Sequence, residues 1–147
     1  MTDSVQDAAD IGPLARKVLA NQAVMRRLLA RARQPDFSFA EWSELRADYA
    51  DEYRRVAANR DSRDWDEDVR LRHQFARHYD LDIEVRRIAQ IGRTVFVDTV
   101  ETIIGPDGFS INTLGVVEFD ADEKIIRTTT YQQWSPDQVP RHVAQEP

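Results

Sequence analysis

No cysteine occurs among the 147 residues, which excludes disulfides, thiolate metal sites and a cysteine nucleophile. No apolar run approaches the roughly 20 residues that a membrane-spanning helix needs. Positive charge is also short: 20 Lys and Arg against 26 Asp and Glu leave a formal net charge of −6. Phosphate binding needs a concentrated positive field, so no nucleic-acid partner is expected. Residues 1–10 contain Asp3, Asp7 and Asp10 and no base, unlike the basic start and apolar stretch of a secretion signal, and a cytoplasmic protein is expected. Histidine is scarce. His73 and His78 stand five apart in one predicted helix, the wrong spacing for two ligands on one face, and His142 falls near the end, so no metal is expected. A Gly-rich phosphate loop, a Ser-His-Asp set and a dinucleotide fingerprint are all missing, and no cofactor is expected.

What remains is 41% hydrophobic and 31% charged, the balance of one domain with a sizeable core. Residues 1–12 read as a disordered arm, 13–134 as the domain and 135–147 as a tail. Gly12-Pro13 opens a helix where proline costs nothing, and Pro35 lies just past its end near Arg33. Leu14, Val18, Met25, Leu28, Leu29 and Ala32 form its apolar face, interrupted by Asn21 and Gln22. Its bases, Arg16, Lys17, Arg26, Arg27, Arg31 and Arg33, spread around a polar face that reads as solvated surface. Ser38 and Glu41 have capping-box spacing, with Phe37 and Trp42 placed as a hydrophobic staple. They start a second helix whose Phe39, Trp42, Leu45 and Tyr49 should point inward through about Ala50. A short strand is expected from Tyr53 to Ala58. Asp64 and Glu67 cap a third helix, Trp65 to Tyr79, burying Trp65, Val69, Phe75 or Ala76, and Tyr79.

From Leu81 onward the apolar period changes from 3.6 to 2. Four β-rich runs follow: Asp82 to Gln90, Thr94 to Ile104, Phe109 to Phe119 and Lys124 to Trp134. They are separated by turns that include Gly105-Pro106-Asp107-Gly108. Three helices before a run of long antiparallel strands predict an α+β domain with helices on one face of a sheet. Strands this long must twist, leaving a concave face that helices only partly fill and hence a pocket. The strand Thr94 to Ile104 is apolar on both faces. Because helices cover only one, the other is expected to meet a second subunit in a homodimer.

On that same strand Thr99 and Glu101 share one face. A carboxylate on a half-buried strand is expensive unless something uses it, which makes Glu101 the leading candidate for chemistry. Either it acts as a general base or it pairs with Arg55 as a structural ion pair. Thr113, Thr128, Thr130 and Gln132 fall on the inner faces of neighbouring strands and would line the same pocket. Trp42 is expected among the lining side chains. Trp134 would close the pocket mouth or anchor the tail.

The stretch Leu81-Asp82-Ile83-Glu84-Val85-Arg86-Arg87-Ile88, then Val95 to Ile104 with Gly105-Pro106, then Leu114 to Phe119, Glu123-Lys124-Ile125-Ile126 and Tyr131, resembles the C-terminal half of limonene-1,2-epoxide hydrolases. That family shares the nuclear transport factor 2-like fold with ketosteroid isomerases and SnoaL-like polyketide cyclases. The resemblance implies a cone of three N-terminal helices on a curved, mostly antiparallel sheet enclosing a pocket. It also implies an Asp-Arg-Asp constellation, whose positions fall here on Thr99, Glu101 and Thr130, so one carboxylate of the set is kept. A Tyr and an Asn that hold water in that family fall near Arg55 and Ala57 or, after a shift of two, on Tyr53 and Arg55. The expected activity is therefore cofactor-independent acid/base chemistry on an apolar small molecule of terpenoid or polyketide type. Glu101 would act as base and Tyr53 as its catalytic partner, in isomerisation, cyclisation or epoxide opening. The rival expectation is a catalytically degenerate relative that keeps the pocket for binding or the dimer surface for interaction.

Overall fold

The computed structural model describes residues 11–57 and 61–133. Trp134, the expected tail and most of the expected arm lie outside them. Helix α1 spans Pro13–Arg31 and α2 spans Trp65–His78. Between them a 3₁₀ segment covers Phe39–Asp48. The strands are β1 Tyr49–Val56, β2 Ser62–Arg63, β3 Asp80–Ile91, β4 Thr94–Ile104, β5 Phe109–Phe119 and β6 Ile125–Gln133. They form one sheet in the order β2-β1-β6-β5-β4-β3, in which β1 and β6 run parallel and the other neighbours antiparallel. Among the described residues no helix is long and apolar enough to cross a membrane.

The start of α1 is held from a distance. Gly12 occupies its N-cap with φ of 93° and supplies no side chain. Instead Gln90 of β3 reaches across, and its Oε1 accepts from the backbone N–H groups of Leu14 at 2.9 Å and Ala15 at 3.1 Å. A Cβ at residue 12 would lie 2.6 Å from that oxygen. One side chain thus satisfies two orphan donors and ties the helix to the sheet. The bases of α1 and the turn after it are not simply solvated: Arg26 pairs with Asp82 at 2.8 Å, Arg33 with Asp80 at 3.1 Å and Lys17 with Glu123 at 3.2 Å, while Arg27 bonds Glu44.

The capping box at Ser38 and Glu41 forms as expected, but it opens a 3₁₀ segment rather than an α-helix. Three residues per turn stack Trp42 and Leu45 together onto the core, where they are 1% and 0% exposed. Phe39, at the first turn, stays 47% exposed, with its ring edge-on to His73. Tyr49 does not close a helical stripe; it begins β1, four residues before the expected strand start. In α2, Val69 and Ala76 are buried, whereas Phe75 and Tyr79 remain 37% and 44% exposed.

The four later strands follow the expected boundaries to within two residues. Register shifts interrupt β3 between Val85 and Arg87 and the β1–β6 pairing between Tyr49 and Arg54. Irregularities of this kind bend the strands that carry them. The inner face of the curved sheet carries Val95, Val97 and Val117 against Leu14, Val18 and Met25 of α1, which belong to the same core cluster.

Candidate functional site

A cavity of about 1140 Å³ opens between the concave sheet face, α1 and α2. Strand alternation decides which side chains reach it. Thr99 pairs across to Thr113 and Thr113 to Gln132, while Glu101 pairs to Ile111 and Gly115 to Thr130. Glu101, Thr99, Thr113, Thr128, Thr130 and Gln132 all line the cavity, and so do Tyr53 and Arg55 of β1. The side chains at 53 and 55 both reach the cavity, whereas Ala57 follows the end of β1 and is not part of the lining. Asp98, one residue from Thr99, faces outward and pairs with Arg87 at 2.8 Å.

Glu101 is half-buried and accepts a hydrogen bond from Thr113 Oγ1 at 3.2 Å. Thr99 and Thr130 turn their hydroxyls to backbone carbonyls instead. Thr99 donates to Thr113 O at 3.3 Å, and Thr130 donates to Val56 O at 3.5 Å. Tyr53 is 2% exposed. Burial and the nearby Asp68 push its phenol above the usual range, against opposing effects of Arg55 and a hydrogen bond with Thr128, so it stays protonated. Tyr49 packs edge-on to Tyr53 with centroids 4.7 Å apart and donates to Asn21 Oδ1 at 3.3 Å. Asn21, which breaks the apolar stripe of α1, in turn donates to Asp48.

Two expectations fail here. Trp42 does not line the cavity: the staple turns it into the core beside Phe37, and its Nε1 donates to His73 Nδ1 at 3.1 Å. Arg55 does not pair with Glu101. Its ion pair is with Asp68 of α2, at 3.7 Å. Asp68 also receives Arg63 at 3.4 Å and Arg72 at 3.1 Å. Burial alone would raise the Asp68 pKa, but Arg72, Arg55 and Arg63 outweigh it and hold the carboxyl below its ordinary value. Arg72 shows the mirror image: burial would lower its pKa, yet Asp68, Tyr49, Tyr53 and Glu101 raise it.

Asp68, Arg63 and Arg72, none of which stood out in the sequence, also line the cavity. A signal for two of them existed. Residues 65, 68, 72, 75 and 79 recur at helical spacing, so the Asp68–Arg72 pair lies on the stripe that continues through Phe75 and Tyr79, which also line the cavity. Among the described residues, three buried polar atoms have no hydrogen-bond partner: Gln22 Oε1, Arg55 Nε and Arg72 Nη1. Each belongs to a side chain of the cavity lining. The exposed rings of Phe75 and Tyr79, 4.7 Å apart, mark the rim.

No protein-family model matches the chain, and no curated protein matches it in sequence. Similarity in three dimensions is extensive. An LEH-like epoxide hydrolase from M. tuberculosis superimposes with a TM-score of 0.55 at 17% identity, covering 82% of this chain and 86% of its own. SalBIII, an epoxide hydrolase/cyclase-like enzyme of pyran ring formation in salinomycin, gives 0.58 at 14% identity over 80% of this chain and 92% of its own. An NTF2-like protein of unknown function from Exiguobacterium sp. 255-15 gives 0.58 at 15% identity over 78% and 99%. With three helices on one curved six-stranded sheet, the chain has the α+β cone fold of the nuclear transport factor 2-like proteins, a fold it shares with epoxide hydrolase-like and cyclase-like enzymes.

Proposed function

We propose that this protein is an acid/base enzyme working without a cofactor on an apolar small molecule of terpenoid or polyketide type held in the cavity. Glu101 is the general base. The observation that carries this reading is its position: a half-buried carboxylate on the cavity wall, held by Thr113 Oγ1 at 3.2 Å and with no cation within 4 Å among the described residues. A structural ion pair would occupy that carboxylate; here it is free to take a proton. Tyr53 lines the same cavity and, held protonated by burial, is a hydroxyl suited to hydrogen-bond an oxygen on which negative charge develops. Such a pair suits enolisation, double-bond migration, aldol-type cyclisation or epoxide opening by an internal hydroxyl. The epoxide hydrolase-like and cyclase-like neighbours support this class of reaction without naming its substrate.

A second reading has its own support. Thr99 and Thr130 stand where the resemblance implies an Arg and a second Asp, and both spend their hydroxyls on the backbone. A protein that kept the cavity for binding alone would show the same pair. Glu101→Gln separates the readings, because it removes the base while keeping the shape and the Thr113 contact. Loss of turnover with retained ligand binding supports the enzyme; unchanged turnover excludes Glu101 as base.

The outer face of the sheet is proposed to meet a second copy of the chain. Phe96, Asp98 and Val100 of β4 share that face with Leu114 and Val116 of β5 and Tyr131 of β6. Leu114 and Tyr131 are 39% and 57% exposed. An apolar stripe across three strands favours burial in a symmetric dimer.

A further inference from the structure

The buried end of the cavity gathers more cation than it needs for its own stability. Asp68 has a side chain 4% exposed, and Arg55, Arg63 and Arg72, at 21%, 17% and 17%, converge on it from β1, β2 and α2. Arg63 has a further partner in Asp61, at 3.1 Å. Arg55 and Arg72 have Asp68 alone within 4 Å among the described residues, so two guanidinium groups share one carboxylate. Burying a cation without a full complement of acceptors is costly.

The donors are as unbalanced as the charges. Arg55 Nε and Arg72 Nη1 are buried without a hydrogen-bond partner among the described residues. A guanidinium carries five N–H donors in a rigid fork and no acceptor, so one carboxylate leaves both groups short of acceptors. Both groups touch the same carboxylate and both line the cavity. Tyr53, itself a donor, adjoins them through Asp68 and Arg55. A purely structural ion pair would be complete with one arginine seated on Asp68 by its fork. Arg63 already bonds Asp68 through its Nε at 3.4 Å, and Arg72 through its Nη2 at 3.1 Å. Arg55 and Arg72 keep 21% and 17% of their side-chain surface exposed and line the cavity, so both border the guest's space.

We propose that Arg55 and Arg72, braced by Asp68, form a subsite for a carboxylate of the guest, so that the molecule taken up is apolar along most of its length and carries an acid group at the end lodged in the cavity's buried part. A carboxylate beside these two side chains balances the surplus positive charge and leaves the apolar remainder against Met25, Leu29, Phe75 and Ile83. This deepens the reading of the cavity as a guest site and rests on it.

The test compares matched ligands: 4-phenylbutyrate and 4-(1-naphthyl)butyrate against the corresponding alcohols. Binding is measured by calorimetry or NMR titration on the full chain. The acids are expected to bind at least about tenfold tighter than the alcohols, the scale of a charge-assisted hydrogen bond gained on binding. In Arg55→Gln and Arg72→Gln that preference is expected to collapse to about twofold or less while the alcohols keep their wild-type affinity. Circular dichroism confirms the fold of each variant; if Arg72→Gln does not fold, Arg55→Gln decides. Alcohols binding as tightly as acids in the wild type, or a preference surviving in the variants, overturns the carboxylate subsite and leaves the proposed function standing. Binding of neither ligand type overturns both.

Discussion

Asp68 is 3% exposed and remains a carboxylate because three guanidinium groups surround it. With its folded pKa below the ordinary value, it contributes stability that is present above about pH 4 and lost as pH falls through the lowered value. Asp68→Asn keeps the shape and removes the charge, leaving Arg55 and Arg72 without an anion. Urea denaturation is expected to show a loss of roughly 3 kcal/mol, the low end of the cost of breaking a buried ion pair because the arginines are partly exposed. Glu101 was legible at this scale, since alternation along Thr94 to Ile104 and the expense of an inward carboxylate single it out. Asp68 and Arg72 were not: an i,i+4 acid–base pair on a helix ordinarily lies on a solvated face. Its inward turn depends on where α2 crosses the sheet, which no local rule states. The Arg55–Glu101 expectation failed for the same reason, because the nearer carboxylate comes from an element 13 residues further along the chain.

Among the elements, α1 depends on a cap that belongs to β3. Gln90→Leu would leave the Leu14 and Ala15 N–H groups without their acceptor and is expected to cost about 1–2 kcal/mol in urea denaturation. The 3₁₀ segment is fastened to α2 by the bond from Trp42 Nε1 to His73 Nδ1. Burial and the adjacent Arg77 lower the His73 pKa. Below the ordinary histidine value of about 6.5 the unfolded chain then binds more protons than the folded one, so stability rises with pH through that window and is lost on acidification. Thermal melts are expected to show a drop between about pH 7.5 and 5.5, and a smaller one in His73→Gln. The long strands were legible because their period is 2 and Gly105-Pro106-Asp107-Gly108 punctuates them. The 3₁₀ segment was not, since a capping box marks where a helix starts and not which helix follows. The start of β1 was obscured by Asp51 and Glu52, whose charges hide a strand that pairs in parallel with β6, far along the chain.

For the whole molecule, the expected cone is what the chain adopts, and the two faces of its sheet differ. The concave face carries the cavity. The convex face exposes Leu114 and Tyr131, and light scattering is expected to return a mass near twice the 17.0 kDa of the chain. Leu114→Arg with Tyr131→Glu is expected to return the monomer mass without altering the cavity, because both side chains point away from it.

The proton-transfer role proposed for Glu101 is tested most directly by product formation. Wild type and Glu101→Gln are compared on a panel of terpene epoxides, β,γ-unsaturated ketones and 1,5-dicarbonyl compounds, with and without a terminal carboxylate, and products are followed by mass spectrometry. The wild type is expected to convert at least one class, with a loss of roughly a hundredfold or more in Glu101→Gln at unchanged ligand affinity. Equal conversion by the two proteins, or ligand bound by the wild type with no member of the panel converted, would contradict it.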